Sequence, residues 1–198
     1  MLPDADELYS QFFDRWYDDD DRKRKGFTHT RPDMLGCYRP RLDSFEISRL
    51  TGASQTEVLR RVQAMLNAAR KDWPRYLPVT GELSENWIQA YDDYYDADRV
   101  ASTITRSDPS DFSNDLVVAV CEFGSVLGHV LLQMQPRLQW ILEWPYWESA
   151  LYDPISGNVI PPFHWAMKKF SGYGIDDGFV PKLHMCIALV ERPREPNA

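Results

Sequence analysis

Cysteine is scarce in this 198-residue chain: Cys37, Cys121 and Cys186 are the only three, and no two stand at C-x-x-C spacing. An odd count without metal spacing argues against a disulfide framework or a thiolate zinc site, and reduced thiols in a cytoplasm are the expectation. Histidine is almost as sparse. His29, His129, His164 and His184 are scattered, with no H-x-x-x-H or H-E-x-x-H pair, so no histidine metal motif is written in the sequence. A glycine-rich phosphate loop and a G-x-S-x-G elbow are missing too. The spacing therefore nominates no catalytic residue and no cofactor, and leaves open only a site assembled in three dimensions. The opening Met1-Leu2-Pro3-Asp4-Ala5-Asp6-Glu7 is acidic, without the basic and apolar regions of a signal peptide. No apolar run is read as reaching the roughly 18 residues of a membrane span. A cytoplasmic protein with no membrane partner is expected.

Positive charge is in deficit overall, 22 Lys and Arg against 30 Asp and Glu, for a net charge of −8. The deficit is uneven: residues 22–75 hold 13 bases and 5 acids, a local +8, which leaves −16 elsewhere. Either the basic segment meets nucleic acid, or two oppositely charged segments neutralise each other inside one fold. With 43% hydrophobic residues the chain can bury a good core, and one domain is expected over 1–198. It divides into a helical part at about 1–135, a β-meander with helices at about 136–190, and a polar tail at 191–198.

What the chain has in quantity lies between Leu116 and Lys169. From Leu116 to Met134, after a candidate cap at Ser113, the spacing predicts a helix that Pro136 stops. Leu116, Val120, Phe123, Leu127, Val130, Leu131 and Met134 share a face, and Cys121, Gly124 and Gly128 form a strip of small residues beside it. Two glycines four apart each cost a helix about 1 kcal/mol, so their use is close approach of a neighbouring backbone, expected from the strands that follow. Asp115, Glu122, Ser125, His129 and Gln133 make a polar arc, read either as a site or as a solvated face. After Pro136 the period changes to two, with Leu138, Trp140 and Leu142, then Trp147, Ser149 and Leu151, then Val159 and Ile160 beyond a turn at Asp153-Pro154-Ile155-Ser156-Gly157. That predicts an antiparallel meander of three strands. A short helix after Pro161-Pro162 puts Phe163, Ala166, Met167 and Phe170 on one face, with Trp165 and Lys169 opposite. A last helix is expected over Val180–Val190.

Earlier in the chain, Asp4-x-x-Glu7 is a capping-box pattern opening a helix to Tyr17. Asp18 to Asp21 followed by Arg22 to Lys25 pairs acids with bases at helical spacing. The stretch Ile47-Ser48-Arg49-Leu50-Thr51-Gly52-Ala53-Ser54-Gln55-Thr56-Glu57-Val58 resembles the helix-turn-helix of bacterial repressors, although Arg61 stands where that pattern has an apolar residue. The resemblance implies a DNA-binding protein using segment 47–62, with Gln55, Thr56 and Arg60 facing a major groove. The alternative is a plain αα hairpin burying Val58, Leu59, Val62, Met65, Leu66, Ala69 and Trp73. A further helix from Ser84 carries Trp87, Ile88, Tyr91, Tyr94 and Tyr95 on one stripe and Asp92, Asp93 and Asp96 on the other side. Those acids read D-D-x-x-D, which resembles the magnesium-diphosphate motif of isoprenoid synthases and implies a metal-dependent enzyme. Val118 stands where that family's second motif has a Ser or Thr ligand. The other reading is a solvated acidic face that complements the basic segment.

These elements predict an α+β fold: N-terminal helices, a small antiparallel three-stranded meander, and C-terminal helices packed on the sheet. The helix with Gly124 and Gly128 followed by Trp140, and the run Pro145-Tyr146-Trp147-Glu148 to Phe163-His164-Trp165, look similar to uncharacterised bacterial domain families that include immunity-type proteins of toxin systems. The resemblance covers about residues 115–185 and implies a non-enzymatic protein-binding module that neutralises a cognate toxin. Trp165 with Lys169 is the candidate contact, because tryptophan is enriched at binding hot spots. The competing reading of Trp165 is core.

Overall fold

A computed structural model describes residues 1–16, 55–143 and 145–191. The charge block 18–25, Cys37, residues 47–54 of the repressor-like stretch and the tail from Arg192 lie outside these. Among the described residues the helices are α1 (Ala5–Phe12), α2 (Gln55–Asp72), α3 (Glu85–Tyr94), α4 (Ala97–Arg106), α5 (Asp115–Met134), α6 (Pro162–Lys169) and α7 (Phe179–Glu191). Strands β1 (Gln139–Ile141), β2 (Ala150–Tyr152) and β3 (Val159–Ile160) lie between α5 and α6, and single 3-10 turns occupy Asp14–Trp16, Trp73–Arg75 and Tyr146–Glu148. The fold is α+β, with the helical part first and the small sheet before the last helices.

Helix α5 is the axis. Asn114 rather than Ser113 caps it, its side chain accepting from Val117 N at 2.9 Å, while Ser113 closes a turn on Asp111. Fourteen of its 20 residues are buried, because α2, α3, α4, α6 and α7 all pack on it. By length and hydropathy α5 would suffice to cross a membrane, which corrects the expectation that no run approaches that length; 78% of that stretch is buried inside the protein. The two glycines face different neighbours. A Cβ at Gly124 would stand 2.8 Å from the backbone Cα of Phe163 in α6, and one at Gly128 would stand 2.5 Å from the Trp140 ring of β1. One close approach is thus to a helix and the other to a strand's side chain.

The sheet has the order β1-β2-β3, both pairs antiparallel, in the register Trp140 with Leu151 and Leu151 with Ile160. Leu151 and Ile160 join the main core, while Ile141, Ala150 and Val159 form a small cluster with Tyr152. The second strand starts later than the alternation from Trp147 predicts, since Pro145 leads into the 3-10 turn at 146–148. At the turn before β3, Gly157 has φ +72°, a left-handed conformation that glycine takes without steric cost. Asp153 organises that turn, accepting from Ser156 N at 2.9 Å and from the Arg137 guanidinium at 2.9 and 3.1 Å.

The capping box at the start of α1 is formed in both directions, 2.7 Å from Glu7 N to Asp4 and 3.0 Å from Asp4 N to Glu7. Helix α4 was not foreseen. Only Val100 and Thr103 of it are buried, so its apolar stripe is too thin to register as a helical period.

Candidate functional site

The residues singled out for partner contact are inside the protein. Trp165 is 5% exposed and Lys169 3% exposed, because α6 is enclosed by α5, α1, β2 and the 3-10 turn at 146–148. The face opposite Phe163 and Phe170 is a second buried face. Burial of an ammonium demands an anion, and Lys169 Nζ lies 2.5 Å from Asp92 Oδ1 while donating to Ile175 O at 3.1 Å. Trp165 and Lys169 are therefore corrected from a contact surface to core.

The same pair dismantles the carboxylate triad. Asp92 turns inward to Lys169 and accepts from Phe179 N at 3.3 Å. Asp93 points outward and accepts from Gln89 at 2.8 Å. Asp96 caps α4, accepting from Arg99 N at 2.9 Å. Three acids with three separate jobs do not converge, and among the described residues no group of three His, Cys, Asp or Glu is placed to hold a metal ion. Gln55, Thr56 and Arg60 are exposed on the first turns of α2, but Arg60 forks onto Glu57 at 2.9 and 2.7 Å. The turn that would make them a reading head lies outside the described residues.

Two further buried polar groups carry structural loads. Glu148 accepts from the Tyr9 hydroxyl at 2.9 Å and lies 3.2 Å from His164 Nε2, joining α1 to α6. The Cys121 thiol is fully buried, and burial pushes its pKa up to about 12, leaving it a protonated, inert packing group. His129 is half-buried, and burial first, then Arg70, holds its pKa below the usual value. A shallow depression of about 290 Å³ is lined by Ser84, Glu85, Asn86, Val130, Gln133 and Met134. It brings together no reactive pair.

Glu122 is different. The polar arc of α5 was expected to be either a site or solvated, yet Glu122 is 8% exposed. Its carboxylate accepts from Trp73 Nε1 at 2.8 Å, and no cation among the described residues lies within ion-pair distance. Trp73 stacks on Tyr91 with ring centroids 4.2 Å apart, Tyr91 lies 4.6 Å from Tyr95, Tyr95 5.2 Å from Tyr94, and Tyr94 4.9 Å from Tyr76. Tyr76 is the outermost of these rings at 41% exposed. Burial raises the Glu122 pKa, the Trp73 hydrogen bond opposes the rise, and nearby Asp72 adds to it. The carboxylate's field in turn raises the pKa values of Tyr76, Tyr91 and Tyr95, in each case after burial, with Tyr95 reaching about 12. A carboxylate in an aromatic surround without a counter-ion costs stability. Groups whose environment disfavours their charge mark candidate functional positions.

Sequence spacing missed this cluster because Glu122 comes from α5 and its rings from two earlier elements. One signal was available. The polar arc of α5 holds five residues in 20, too few to solvate a full helix face. Comparison with protein-family models, curated proteins and solved structures finds no match for this chain.

Proposed function

We propose that this protein is a non-enzymatic binding module that captures a basic protein partner stoichiometrically in the cytoplasm, in the manner of an immunity protein that neutralises a toxin. What supports the reading is the charge of one stretch of surface. From Glu82 to Asp115 there are nine acids against Arg99 and Arg106, and Glu82, Asp93, Asp96, Asp98, Asp108, Asp111 and Asp115 are exposed. Their ionisation is reinforced locally. Hydrogen bonds from the Ser110 backbone and hydroxyl hold Asp108 below the usual aspartate range, and those from the Ser113 hydroxyl and backbone do the same for Asp111. A surface of one sign attracts and orients a partner of the opposite sign, and accelerates encounter more than it adds final affinity. The resemblance of residues 115–185 to immunity-type families points the same way.

The test is capture on the immobilised chain from an extract of its source cell, at about 0.05 M and about 0.5 M salt. A basic protein retained in one-to-one ratio at low salt and released at high salt is expected. An acidic partner, or retention indifferent to salt, contradicts the proposal.

A further inference from the structure

We infer that the basic partner seats an arginine side chain on the exposed ring of Tyr76, so that the surface formed by Tyr76, Tyr94 and Arg99 is the centre of the interface. This rests on the proposed function and names the contact through which it acts.

The contact needs only surface that the free protein already exposes. Tyr76 follows the 3-10 turn at Trp73–Arg75, and 41% of it is in solvent. Among the described residues its one ring contact is Tyr94, with centroids 4.9 Å apart and planes tilted by 48°. A tilted neighbour covers part of a ring that has two faces, and the exposure leaves the rest to a partner. Tyr173 is the other exposed ring among the described residues, and it already carries the Lys168 ammonium 4.7 Å from its centroid. The ring beside Tyr76 shows what this surface takes. The Arg99 guanidinium lies 4.2 Å from the Tyr94 centroid, donates to Tyr94 O at 2.8 Å and stands 3.5 Å from Asp96. An arginine over a tyrosine is thus part of the free protein, and Tyr76 offers a second such ring next to it.

Charge selects the occupant. Between Tyr76 and Arg99 the chain carries Glu82, Glu85, Asp92, Asp93, Asp96 and Asp98 against Arg99 alone, and Asp93, Asp96 and Asp98 are exposed. Arg75, the neighbour of Tyr76, is met by Asp72 at 2.8 Å. Such a field draws a cation and repels a carboxylate. Arginine fits better than lysine, because its planar guanidinium stacks on an aromatic face and is more weakly hydrated than an ammonium. Tyrosine and arginine are also the side chains in which interface binding energy concentrates.

The experiment titrates the full chain at low salt, by calorimetry, with a short peptide of alternating arginine and serine. The parent is compared with Tyr76→Phe, which keeps the ring, with Tyr76→Leu, which keeps apolar bulk without a ring face, with Tyr173→Leu, and with Asp93→Asn joined to Asp96→Asn. The changes at 76 and 173 fall on exposed side chains and Asn keeps the cap on α4, so all fold. The inference expects Tyr76→Leu to weaken binding about tenfold, within what a ring face gives a cation, while Tyr76→Phe and Tyr173→Leu stay within about threefold of the parent. The Asp93/Asp96 variant should lose chiefly the salt dependence. Parent-like binding by Tyr76→Leu with loss in the Asp93/Asp96 variant, or an equal loss in Tyr173→Leu, overturns the Tyr76 contact and leaves the acidic-surface reading standing. A parent that binds no peptide at low salt overturns both.

Discussion

At Glu122 the two forms of one carboxyl group carry different costs. Burial favours the protonated form in the folded chain, so the folded-state pKa lies above the value in the unfolded chain. The stability linked to this group is therefore full below the ordinary glutamate range and is lost as pH rises through that range toward the raised folded value. Asp72 from α2, Tyr76 beyond it, Tyr91 and Tyr95 from α3 and its end, and Cys121 and Tyr146 all face this charge, and none of them supplies a cation. Glu122→Gln should raise stability near neutral pH by about 1 kcal/mol and flatten its decline with pH, as read by urea midpoints across the acid-to-neutral range. A variant less stable than the parent at neutral pH would mean that Glu122 is compensated. Trp165 makes the opposite case, a side chain whose position is purely structural. At 5% exposed, its replacement by Ala should cost about 3–5 kcal/mol through the cavity left behind, and a nearly unchanged urea midpoint would return it to the surface. Lys169→Met strands Asp92 in the core and should cost about 3–5 kcal/mol, much of it recovered when Asp92→Asn is added. Additive losses in the double variant would deny that the two residues act as a pair.

Among the elements, α5 was the most legible from sequence and α4, which did not register at all, the least; α6 was legible in all but its back face. The glycine strip, the apolar face and the stop at Pro136 all registered, because a 3.6-residue period sustained over 20 residues outweighs local noise. Helix α6 has eight residues, every one buried. Periodicity assigns the back of a helix to solvent by default, and here Asp92 arrives from another element to neutralise a back that is buried. The meander was readable from the turn at Asp153 to Gly157, whereas the start of β2 was not, since Trp147 and Ser149 are buried in and just after a 3-10 turn, as alternate residues of a strand would be. The candidate site was largely illegible: Glu122 was in view, but the Trp73 donor that defines it is 49 residues away. The two glycines of α5 separate by what they touch. Gly124→Ala pushes on the α6 backbone and Gly128→Ala on the half-buried Trp140 side chain. Gly124→Ala should therefore cost about 1–3 kcal/mol, with Gly128→Ala milder because a side chain can yield and alanine favours the helix. Equal urea midpoints would show that the α6 backbone yields as readily as the ring.

For the whole molecule, the division of charge is the organising feature. Acids outnumber bases by eight, and two of the four bases of α2, Arg60 and Arg61, are met by Glu57, as Arg75 just beyond the helix is met by Asp72. Three of the nine acids from Glu82 to Asp115, Asp96, Asp108 and Asp111, serve a cap or turn that leaves their charge outward. Self-repulsion on such a surface lowers the stability of the free protein, and a basic partner relieves it. The most direct measurement is the affinity of the purified pair, by titration calorimetry over a salt series. The account predicts one-to-one binding whose dissociation constant rises steeply with salt, through a slower association more than a faster dissociation. Binding that ignores salt, or a partner altered in many turnovers by substoichiometric amounts of this protein, would contradict it.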